Sequence, residues 1–561
     1  MNKRNKKRDL TALGLAIIIL IMLNFLGSFV FHRFDLTTEK RFTLSPVTKT
    51  LLSKLNDVVY VKVYLDGDFP ARFKNLRNET KEILNEFRIY SNDNIEYEFI
   101  NPSENPDKNQ QEEVYKQLFK KGIIPTTADD NLENGVSQQV IWPGAIVSYK
   151  GKEIAWNFLK TQSGQNEAQL NNSIQSLEYE FASCIRNLST PIRPIIGFIE
   201  GQGELDTLSV KSITEALSEF YITKRIQINE RLNALDDFKA IIIAKPDTSF
   251  SEKDKFIIDQ FVMKGGKILW TIDPLKTAVD SLAKTGNTIS DPLDLKLDDM
   301  FFKYGVRINT NMVLDIQCSG IAVNKAMRGQ QPRFEPLPWI FYPLISPAAK
   351  HPITKNLELI KIEFGASIDT VGSKDITKTI LLQSSKYSKT LQAPVRVDMN
   401  YLRYQPDETQ FQNSFQPIAV LLEGEFESVF KNRIAPQIAN DSAIGYKANG
   451  VKNKMIVIAD GDVIRNDVQF SSKKALPLGY DRNTNRTYGN KNFILNCMNY
   501  LCDDSGLISV RARELTLRLL DKKKTKNNRL YWQIFNTIFP LFVILLFGII
   551  HNIVRKRKYA K

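Results

Sequence analysis

Carboxylate side chains stand at the ends of several predicted strands. They are Glu200, Glu204, Asp273, Asp460 and Asp462. In an open α/β sheet the carboxyl ends of the strands share one crevice, so we expect these groups to converge there. A cluster of this kind favours a cation, a basic group or sugar hydroxyls over a phosphate. The competing interpretation is that these are ordinary turn and capping carboxylates.

The loop after the predicted strand Ile195–Glu200 contains two glycines, which let the backbone approach a ligand closely. It begins like the dinucleotide motif G-x-G-x-x-G, but Asp206 occupies the third glycine position and the loop's carboxylates would repel a pyrophosphate. We therefore predict a small-ligand site without a cofactor, a metal or a catalytic residue. Its predicted residues are Glu200, Gly201, Gly203, Glu204, Asp206, Asp273, Asp460 and Asp462.

Other reactive groups are scarce. Of the three histidines, His32 and His551 flank the two apolar segments and only His351 lies in the predicted ectodomain. This excludes a multi-histidine zinc site, and we interpret His351 as a surface or structural residue. The sequence contains no G-x-x-x-x-G-K-[ST], so the chain does not hydrolyse a nucleotide by a P-loop. The four cysteines form no C-x-x-C pair. Cys497 and Cys502 should face different sides of one helix, so free thiols are expected.

The net charge of +14 does not indicate nucleic-acid binding. Fifteen basic residues lie in three clusters, within residues 3–8, 522–529 and 555–561, and they exceed the whole surplus. The rest of the chain is nearly neutral and has no basic surface for a phosphate backbone. All three clusters flank apolar segments, a pattern typical of membrane anchors.

Two apolar segments are long enough to cross a bilayer, at residues 10–31 and 534–550. Basic residues outside both segments predict cytoplasmic termini and an ectodomain on the periplasmic side. The basic run at 522–529 argues against this orientation, but long loops are translocated largely regardless of their charge. A cleaved signal peptide and a buried C-terminal helix are the alternatives for the two segments.

The ectodomain contains two α/β patterns. The order strand, helix, strand, helix, Ile-Pro-Thr and hairpin within residues 50–158 resembles a thioredoxin fold, although no cysteine precedes Cys184. Strands alternate with helices again after Arg193, which predicts a parallel, doubly wound sheet. The predicted division is a cytoplasmic tail (1–9), a transmembrane helix (10–31), a thioredoxin-like domain without C-x-x-C (35–160), a connecting helix (161–190), an α/β domain (191–510) with a β-rich insertion (about 300–450), a basic juxtamembrane segment (511–530), a second transmembrane helix (531–554) and a cytoplasmic tail (555–561).

Several ordered motifs resemble the gliding-motility-associated ABC transporter auxiliary proteins, the GldG family. They are Arg33-Phe34-Asp35-Leu36-Thr37, Arg41-Phe42-Thr43-Leu44-Ser45, Leu177-Glu178-Tyr179-Glu180-Phe181, Phe198-Ile199-Glu200-Gly201-Gln202-Gly203-Glu204-Leu205, Met263-Lys264-Gly265-Gly266-Lys267-Ile268-Leu269-Trp270 and Tyr304-Gly305-Val306-Arg307-Ile308-Asn309. The resemblance implies an inner-membrane protein acting beside a separate permease and a separate ATPase. It also implies that the second domain is glutamine-amidotransferase-like and has no nucleophile. Relatives often carry histidine where Gln202 stands, and this difference weakens any catalytic role.

We therefore expect a non-enzymatic, substrate-binding-like auxiliary component of an ABC transporter, anchored at both ends in a bacterial inner membrane. The expected partners are a permease, a P-loop ATPase, the membrane and a small ligand or saccharide. A periplasmic hydrolase that uses the carboxylate crevice is one alternative. A scaffold that binds no ligand is the other.

Overall fold

The computed structural model describes most of the chain. It covers residues 6–29, 43–104, 107–132, 135–159, 167–190, 192–326, 330–348, 351–372, 375–403, 406–435, 437, 440–441, 444–469, 472–512, 525–526 and 528–559. The motif at 33–37, the first two residues of the motif at 41–45 and most of the predicted juxtamembrane segment lie outside this part. The chain divides into two units, and the C-terminal helix belongs to the second.

Helices and strands alternate along most of the chain. The α-helices are α1 (Lys6–Phe29), α2 (Pro46–Leu52), α3 (Ala71–Tyr90), α4 (Lys108–Lys120), α5 (Glu167–Ser189), α6 (Lys211–Ser218), α7 (Glu252–Met263), α8 (Val279–Thr285), α9 (Asp298–Tyr304), α10 (Asn490–Cys502) and α11 (Arg529–Tyr559). The strands are β1 (Val59–Val63), β2 (Ile95–Phe99), β3 (Thr126–Leu132), β4 (Gly135–Ile141), β5 (Gly144–Tyr149), β6 (Lys152–Asn157), β7 (Ile195–Glu200), β8 (Ile222–Gln227), β9 (Ala240–Ala244), β10 (Lys267–Thr271), β11 (Leu275–Thr277), β12 (Asn287–Pro292), β13 (Val306–Ile308), β14 (Asn311–Asp315), β15 (Cys318–Asn324), β16 (Phe334–Ile345), β17 (Ile360–Lys361), β18 (Ile368–Thr370), β19 (Ile376–Gln383), β20 (Ser388–Gln392), β21 (Val395–Asp398), β22 (Pro417–Glu427), β23 (Asn449–Ile458), β24 (Val468–Gln469), β25 (Lys474–Ala475), β26 (Tyr480–Asp481) and β27 (Arg486–Thr487).

The N-terminal α/β part of the chain is built on a four-stranded sheet in the order β2-β1-β5-β6. β1 is parallel to β2, and β5 is antiparallel to both β1 and β6. The apolar face of α5 packs into the core beneath this sheet. Its buried residues are Leu170, Ile174, Leu177, Phe181, Ile185 and Leu188. The connecting helix predicted over 161–190 thus corresponds to α5, and it belongs to this core.

The second sheet has seven strands in the order β19-β22-β23-β10-β9-β7-β8. The five strands from β23 to β8 are parallel, as the alternating pattern predicted. β22 is antiparallel to β23, and β19 is antiparallel to β22. Helices α6 and α10 pack on one face of the sheet, and α7 and α9 pack on the other. Because both faces are covered, β9 is buried at every residue.

The boundaries of the central elements follow from local chemistry. Ser251 caps α7 by accepting a hydrogen bond from the Asp254 N–H. α7 ends just before Gly265, which has a φ of +99° that favours glycine. The sequence predicted a helix over 208–220, but the regular helix α6 is shorter. The β3–β4 hairpin and the edge strand β8 were not predicted.

The region between about 300 and 450 is rich in strands, as expected. β14 pairs with β20, and β15 pairs with β16, both antiparallel. These ribbons pack around a separate apolar cluster that contains Trp339, Phe341 and Phe411. The insertion therefore has a small core of its own.

Helix α11 includes one stretch, Arg529–Arg557, that is long and apolar enough to cross a membrane. Within the described residues, the apolar part of α1 is the shorter stretch Thr11–Met22. The C-terminal segment therefore has the length that the sequence predicted. The N-terminal span stays a prediction.

Candidate functional site

Polar side chains gather at the carboxyl ends of three adjacent parallel strands. Lys245 directly follows β9, Asp273 comes shortly after β10, and Asp460 comes shortly after β23. Each strand is buried up to its end, so the first polar residues after them are held against the same edge of the sheet. The sequence pattern predicted this convergence for the aspartates.

Lys245 lies between two of these aspartates. Its Nζ is 3.0 Å from Asp273 Oδ2 and 2.6 Å from Asp462 Oδ2. Asp273 also accepts a hydrogen bond from the Gly461 N–H. A Cβ at Gly461 would lie 2.5 Å from Lys245 Cγ, so the lysine side chain can pass only because this residue is glycine. Lys245, which follows β9, thereby links the residues that follow β10 and β23.

Asp460 is completely buried beside this pair. Its Oδ1 accepts a hydrogen bond from the Asp462 N–H at 2.8 Å, and its Oδ2 accepts one from the Glu363 N–H at 3.2 Å. Burial and the neighbouring carboxylates of Asp273 and Asp462 raise the pKa of Asp460 well above its ordinary value. Each oxygen of Asp460 therefore accepts one backbone N–H.

Asp462 links the aspartates to a second set of charges. Burial acts to raise its pKa, but Arg465 and Lys245 outweigh burial and hold the pKa below its ordinary value. Arg465 Nε lies 2.9 Å from Asp462 Oδ1, and its NH2 lies 3.2 Å from Glu363 Oε2. Lys361 Nζ in turn lies 2.8 Å from Glu363 Oε1. We call the set Lys245, Asp273, Lys361, Glu363, Asp460, Asp462 and Arg465 the buried ionic network.

The cations of the buried ionic network were missed by the sequence reasoning. Lys245 directly follows a buried strand, and Arg465 is three residues after Asp462, which is a spacing that brings side chains together in a helical turn. Both positions were visible in the sequence. A lysine after a strand and an arginine three residues after an aspartate are also common on exposed surfaces. The sequence pattern alone therefore does not distinguish a buried cation from an exposed one.

The glycine loop, residues 200–206, forms the second group of predicted site residues. Glu200 is paired with Arg225 on the edge strand β8, and Arg225 also donates to the carbonyl of Leu205 at 2.7 Å. Asp206 Oδ1 accepts a hydrogen bond from the Ser209 N–H at 2.8 Å. Two of the three carboxylates in this loop therefore stabilise the loop itself or the start of the next helix.

Two acceptor oxygens in the glycine loop have no donor among the residues that the structure describes. They are Gln202 Oε1 and Glu204 Oε1, and both atoms are buried. The other oxygen of Glu204 accepts the Gln202 N–H at 2.8 Å. Burial raises the pKa of Glu204 above its ordinary value. Backbone hydrogen bonds oppose this shift, and the neighbouring charge of Glu200 adds a small further rise. These two oxygens are suited to a ligand or a water molecule that brings donors.

The structure thus brings the predicted site residues together as two groups. Asp273, Asp460 and Asp462 lie in the buried ionic network, and the glycine loop holds the remaining five. The loop is fixed to the end of β9 by the Leu205 N–H, which donates to the Ala244 carbonyl at 3.0 Å. Between described residues, no hydrogen bond or ion pair joins the carboxylates of the two groups. No set of three metal-ligating side chains is found in the described ranges.

His351 and the cysteines have structural environments. The Nδ1 of His351 accepts a hydrogen bond from the Ile353 N–H at 3.2 Å, and burial lowers the pKa of its ring. All four cysteines are free. Burial raises the pKa of Cys318 to about 11 and that of Cys502 to about 12, so both thiols stay protonated at neutral pH.

Two family models match this sequence. One is described as an ABC-type uncharacterized transport system and matches residues 193–497, the part that contains the seven-stranded sheet and the insertion. The other is a domain of unknown function (DUF7088) and matches residues 38–148, around the four-stranded sheet. An uncharacterized protein of Borreliella burgdorferi is 23% identical over 569 residues, covering 99% of each chain.

Two solved structures share limited similarity with the chain. The mmIFT52 N-terminal domain is 13% identical, with a TM-score of 0.31 over 55% of this chain and 96% of that one. An exo-beta-1,4-mannosidase, Op5Man5 from Opitutaceae bacterium strain TAV5, is 10% identical, with a TM-score of 0.20 over 52% of this chain and 35% of that one. Neither likeness bears on function.

Proposed function

The chain belongs to the ABC transporter auxiliary family, described as an ABC-type uncharacterized transport system, and we propose that it acts as a non-enzymatic auxiliary subunit of such a transporter. Membership in the family makes it a transport-associated component. The finer proposal is that it sits in a bacterial inner membrane with its ectodomain in the periplasm and both termini in the cytoplasm.

The non-enzymatic role rests on one observation above all. The carboxylates at the end of the seven-stranded sheet are held by Lys245, Arg465 and backbone N–H groups of the same chain. A general acid or base must reach its substrate with a free lone pair or proton. Because these carboxylates are buried and already bonded within the chain, a structural role is favoured over a catalytic one.

The partners follow from the family and from the composition of the chain. An ABC system needs a multi-span permease and an ATPase, and the sequence carries no P-loop motif. α11 alone cannot form a transport pathway, but it is long enough to hold the ectodomain at the membrane. We therefore place this chain beside a separate permease and a separate P-loop ATPase.

The domain types and the narrower family are also proposals. The sheet order β2-β1-β5-β6 with β5 antiparallel to its neighbours supports a thioredoxin-like domain without dithiol chemistry. Five parallel strands covered by helices on both faces support a glutamine-amidotransferase-like second domain. The association with gliding motility rests on the sequence motifs alone.

A small ligand is proposed to bind at the glycine loop. Gln202 Oε1 and Glu204 Oε1 offer two buried acceptors, and Gly201 has open space around its Cα. A ligand with an ammonium group or neighbouring hydroxyls would supply the missing donors. In this proposal Asp273, Asp460 and Asp462 support the loop from the adjacent strand ends.

The substitution Asp460→Asn tests the non-enzymatic proposal against a hydrolase. General acid–base catalysis contributes about 10²–10⁴-fold to a rate, so replacing a catalytic Asp460 would lower the hydrolysis rate by that factor. We expect Asp460→Asn to change the rate at which the purified chain hydrolyses chromogenic glycosides and esters by less than about tenfold. Asp369→Asn, at an exposed pair with Arg307, is the matched control.

A loss of more than about 100-fold in Asp460→Asn would contradict the proposal, provided that the complex still assembles. Assembly is checked by the amounts of permease and ATPase that the variant retains on purification.

A further inference from the structure

The β-rich insertion contains a cavity of about 420 Å³. This volume lies in the range of about 300–1,000 Å³ that is usual for small-molecule sites. The cavity shares no residue with the glycine loop or the buried ionic network. It is lined by Leu314, Ile340, Lys389, Leu391, Arg396, Asp398, Asn400, Tyr401, Pro406, Asp407, Gln410 and Phe411.

The floor of the cavity is apolar. Leu314 on β14 is directly opposite Lys389 on β20, and Leu391 lies two residues further along the same face of the ribbon. Ile340 and Phe411 complete the floor, and both belong to the core of the insertion. Such a surface stabilises a bound hydrocarbon group by removing it from water.

Most of the charges on the rim have partners. Arg396 NH2 lies 3.0 Å from Asp398 Oδ2, and the Asn400 N–H donates to Asp398 Oδ1 at 2.9 Å. Asp407 accepts the N–H and the hydroxyl of Thr409 at 3.0 and 2.7 Å. These hydrogen bonds lower the pKa of both carboxyls, so both are anionic at neutral pH.

Among the described rim residues, Lys389 is the only cation without an ion-pair partner, since Arg396 is paired with Asp398. No carboxylate in the described part of the chain lies within 4 Å of its Nζ, although its side chain is half-buried at the edge of the apolar floor. The cavity therefore combines an apolar surface with one ammonium group that lacks a counter-charge.

We propose that this cavity binds an apolar monoanion, a small aliphatic carboxylate, with its hydrocarbon on the floor and its carboxylate against Lys389 Nζ. A sugar would place its hydroxyls against Leu314, Leu391 and Phe411, where they would lose water without gaining partners. A dianion would require a second cation free of a partner. The inference does not depend on the ligand proposed for the glycine loop.

Titration calorimetry of the full chain in lipid nanodiscs tests the proposal, with empty nanodiscs as the blank. The probes are butanoate, hexanoate and octanoate, with octanamide as the uncharged analogue of the longest acid. We expect saturable binding with a single site, and an affinity that rises about fourfold for each added methylene. Octanamide should bind more weakly than octanoate.

Two variants separate the contributions of charge and shape. Lys389→Met should weaken octanoate binding about three- to tenfold and leave octanamide binding unchanged, which also shows that the cavity is intact. Leu391→Trp should weaken both probes by filling the floor. Lys386→Met is the matched control, because Lys386 is exposed nearby on the chain and does not line the cavity.

Three results would overturn the proposal. They are heats no larger than those of empty nanodiscs, an affinity that does not depend on chain length, and equal behaviour of the Lys389→Met and Lys386→Met variants.

Discussion

At the scale of single residues, Lys245 decides what the aspartates at the sheet edge do. Without a cation, Asp273, Asp460 and Asp462 would repel one another and attract an external cation. With Lys245 and Arg465 in place, Asp462 is compensated from two sides and Asp273 from one. The same acidic pattern that predicted a ligand site is therefore compatible with a structural role.

Replacing Lys245 should destabilise the protein strongly. Lys245→Met leaves Asp273 and Asp462 buried without this partner, and breaking a buried ion pair typically costs about 3–5 kcal/mol. The control is Lys74→Met, which removes an exposed pair with Asp68 and should cost less than about 1 kcal/mol. Urea unfolding of the full chain measures the difference. Equal midpoints for the two variants would show that the network does not stabilise the fold.

His351 should give the protein a dependence on pH near neutrality. Its Nδ1 accepts a backbone N–H, so the fold requires the neutral ring. Burial lowers its pKa in the fold, Glu423 opposes this with a smaller effect, and Lys454 adds a still smaller lowering. Stability from the neutral ring is therefore present above the unfolded pKa of about 6.5 and is lost as pH falls below it.

The variant His351→Asn isolates this effect, because the asparagine side chain can accept the same N–H but cannot be protonated. Unfolding midpoints measured between pH 7.5 and 5.5 should fall for the wild-type chain and fall less for the variant. Parallel curves would rule out His351 as the titrating group.

At the scale of elements, the long helices and buried strands could be predicted from the sequence, whereas the edge strand of the large sheet could not. The six apolar residues of α5 and the buried run of β9 carry strong signals, because packing on one or both faces fixes their composition. β8 was missed because it lies at a sheet edge, where apolar alternation is weak and an exposed position such as Lys224 carries a charged side chain.

The candidate site was predictable to the same extent. The aspartates after β10 and β23 were found because parallel strands end at one edge. Arg465 and Lys361 were not found although they pair with Asp462 and Glu363 close in sequence, because the same spacings are common on exposed surfaces. Lys245 was not found because its partners lie on other elements far away in sequence. Lys245, for example, contacts Asp462, which lies more than 200 residues away.

The glycine loop should tolerate substitution unequally. Gly203 has a φ of +74°, and a Cβ there would lie 1.7 Å from Asp247 Oδ1, whereas a Cβ at Gly201 would meet nothing within 4 Å. Gly201→Ala should therefore show only backbone strain of about 1–2 kcal/mol, and Gly203→Ala should cost more. Urea midpoints compare the two variants. A Gly203→Ala variant as stable as Gly201→Ala would show that Asp247 simply moves away.

At the scale of the whole molecule, the chain has two large sheets, of four and seven strands, and a C-terminal helix that is long enough to cross a membrane. The family assigns it to an ABC transport system, and the chain itself has no P-loop motif to drive transport. The proposed role therefore requires that separate transporter subunits bind this chain.

Affinity purification of the tagged full chain from native membranes in mild detergent, followed by quantitative mass spectrometry, tests this claim most directly. A single-span membrane protein of unrelated family with the same tag serves as the control. The account predicts that a multi-span permease and a P-loop ATPase are recovered with this chain in constant proportion and are absent from the control. Recovery of the chain alone, under conditions in which other ABC complexes of the same membranes stay intact, would contradict it.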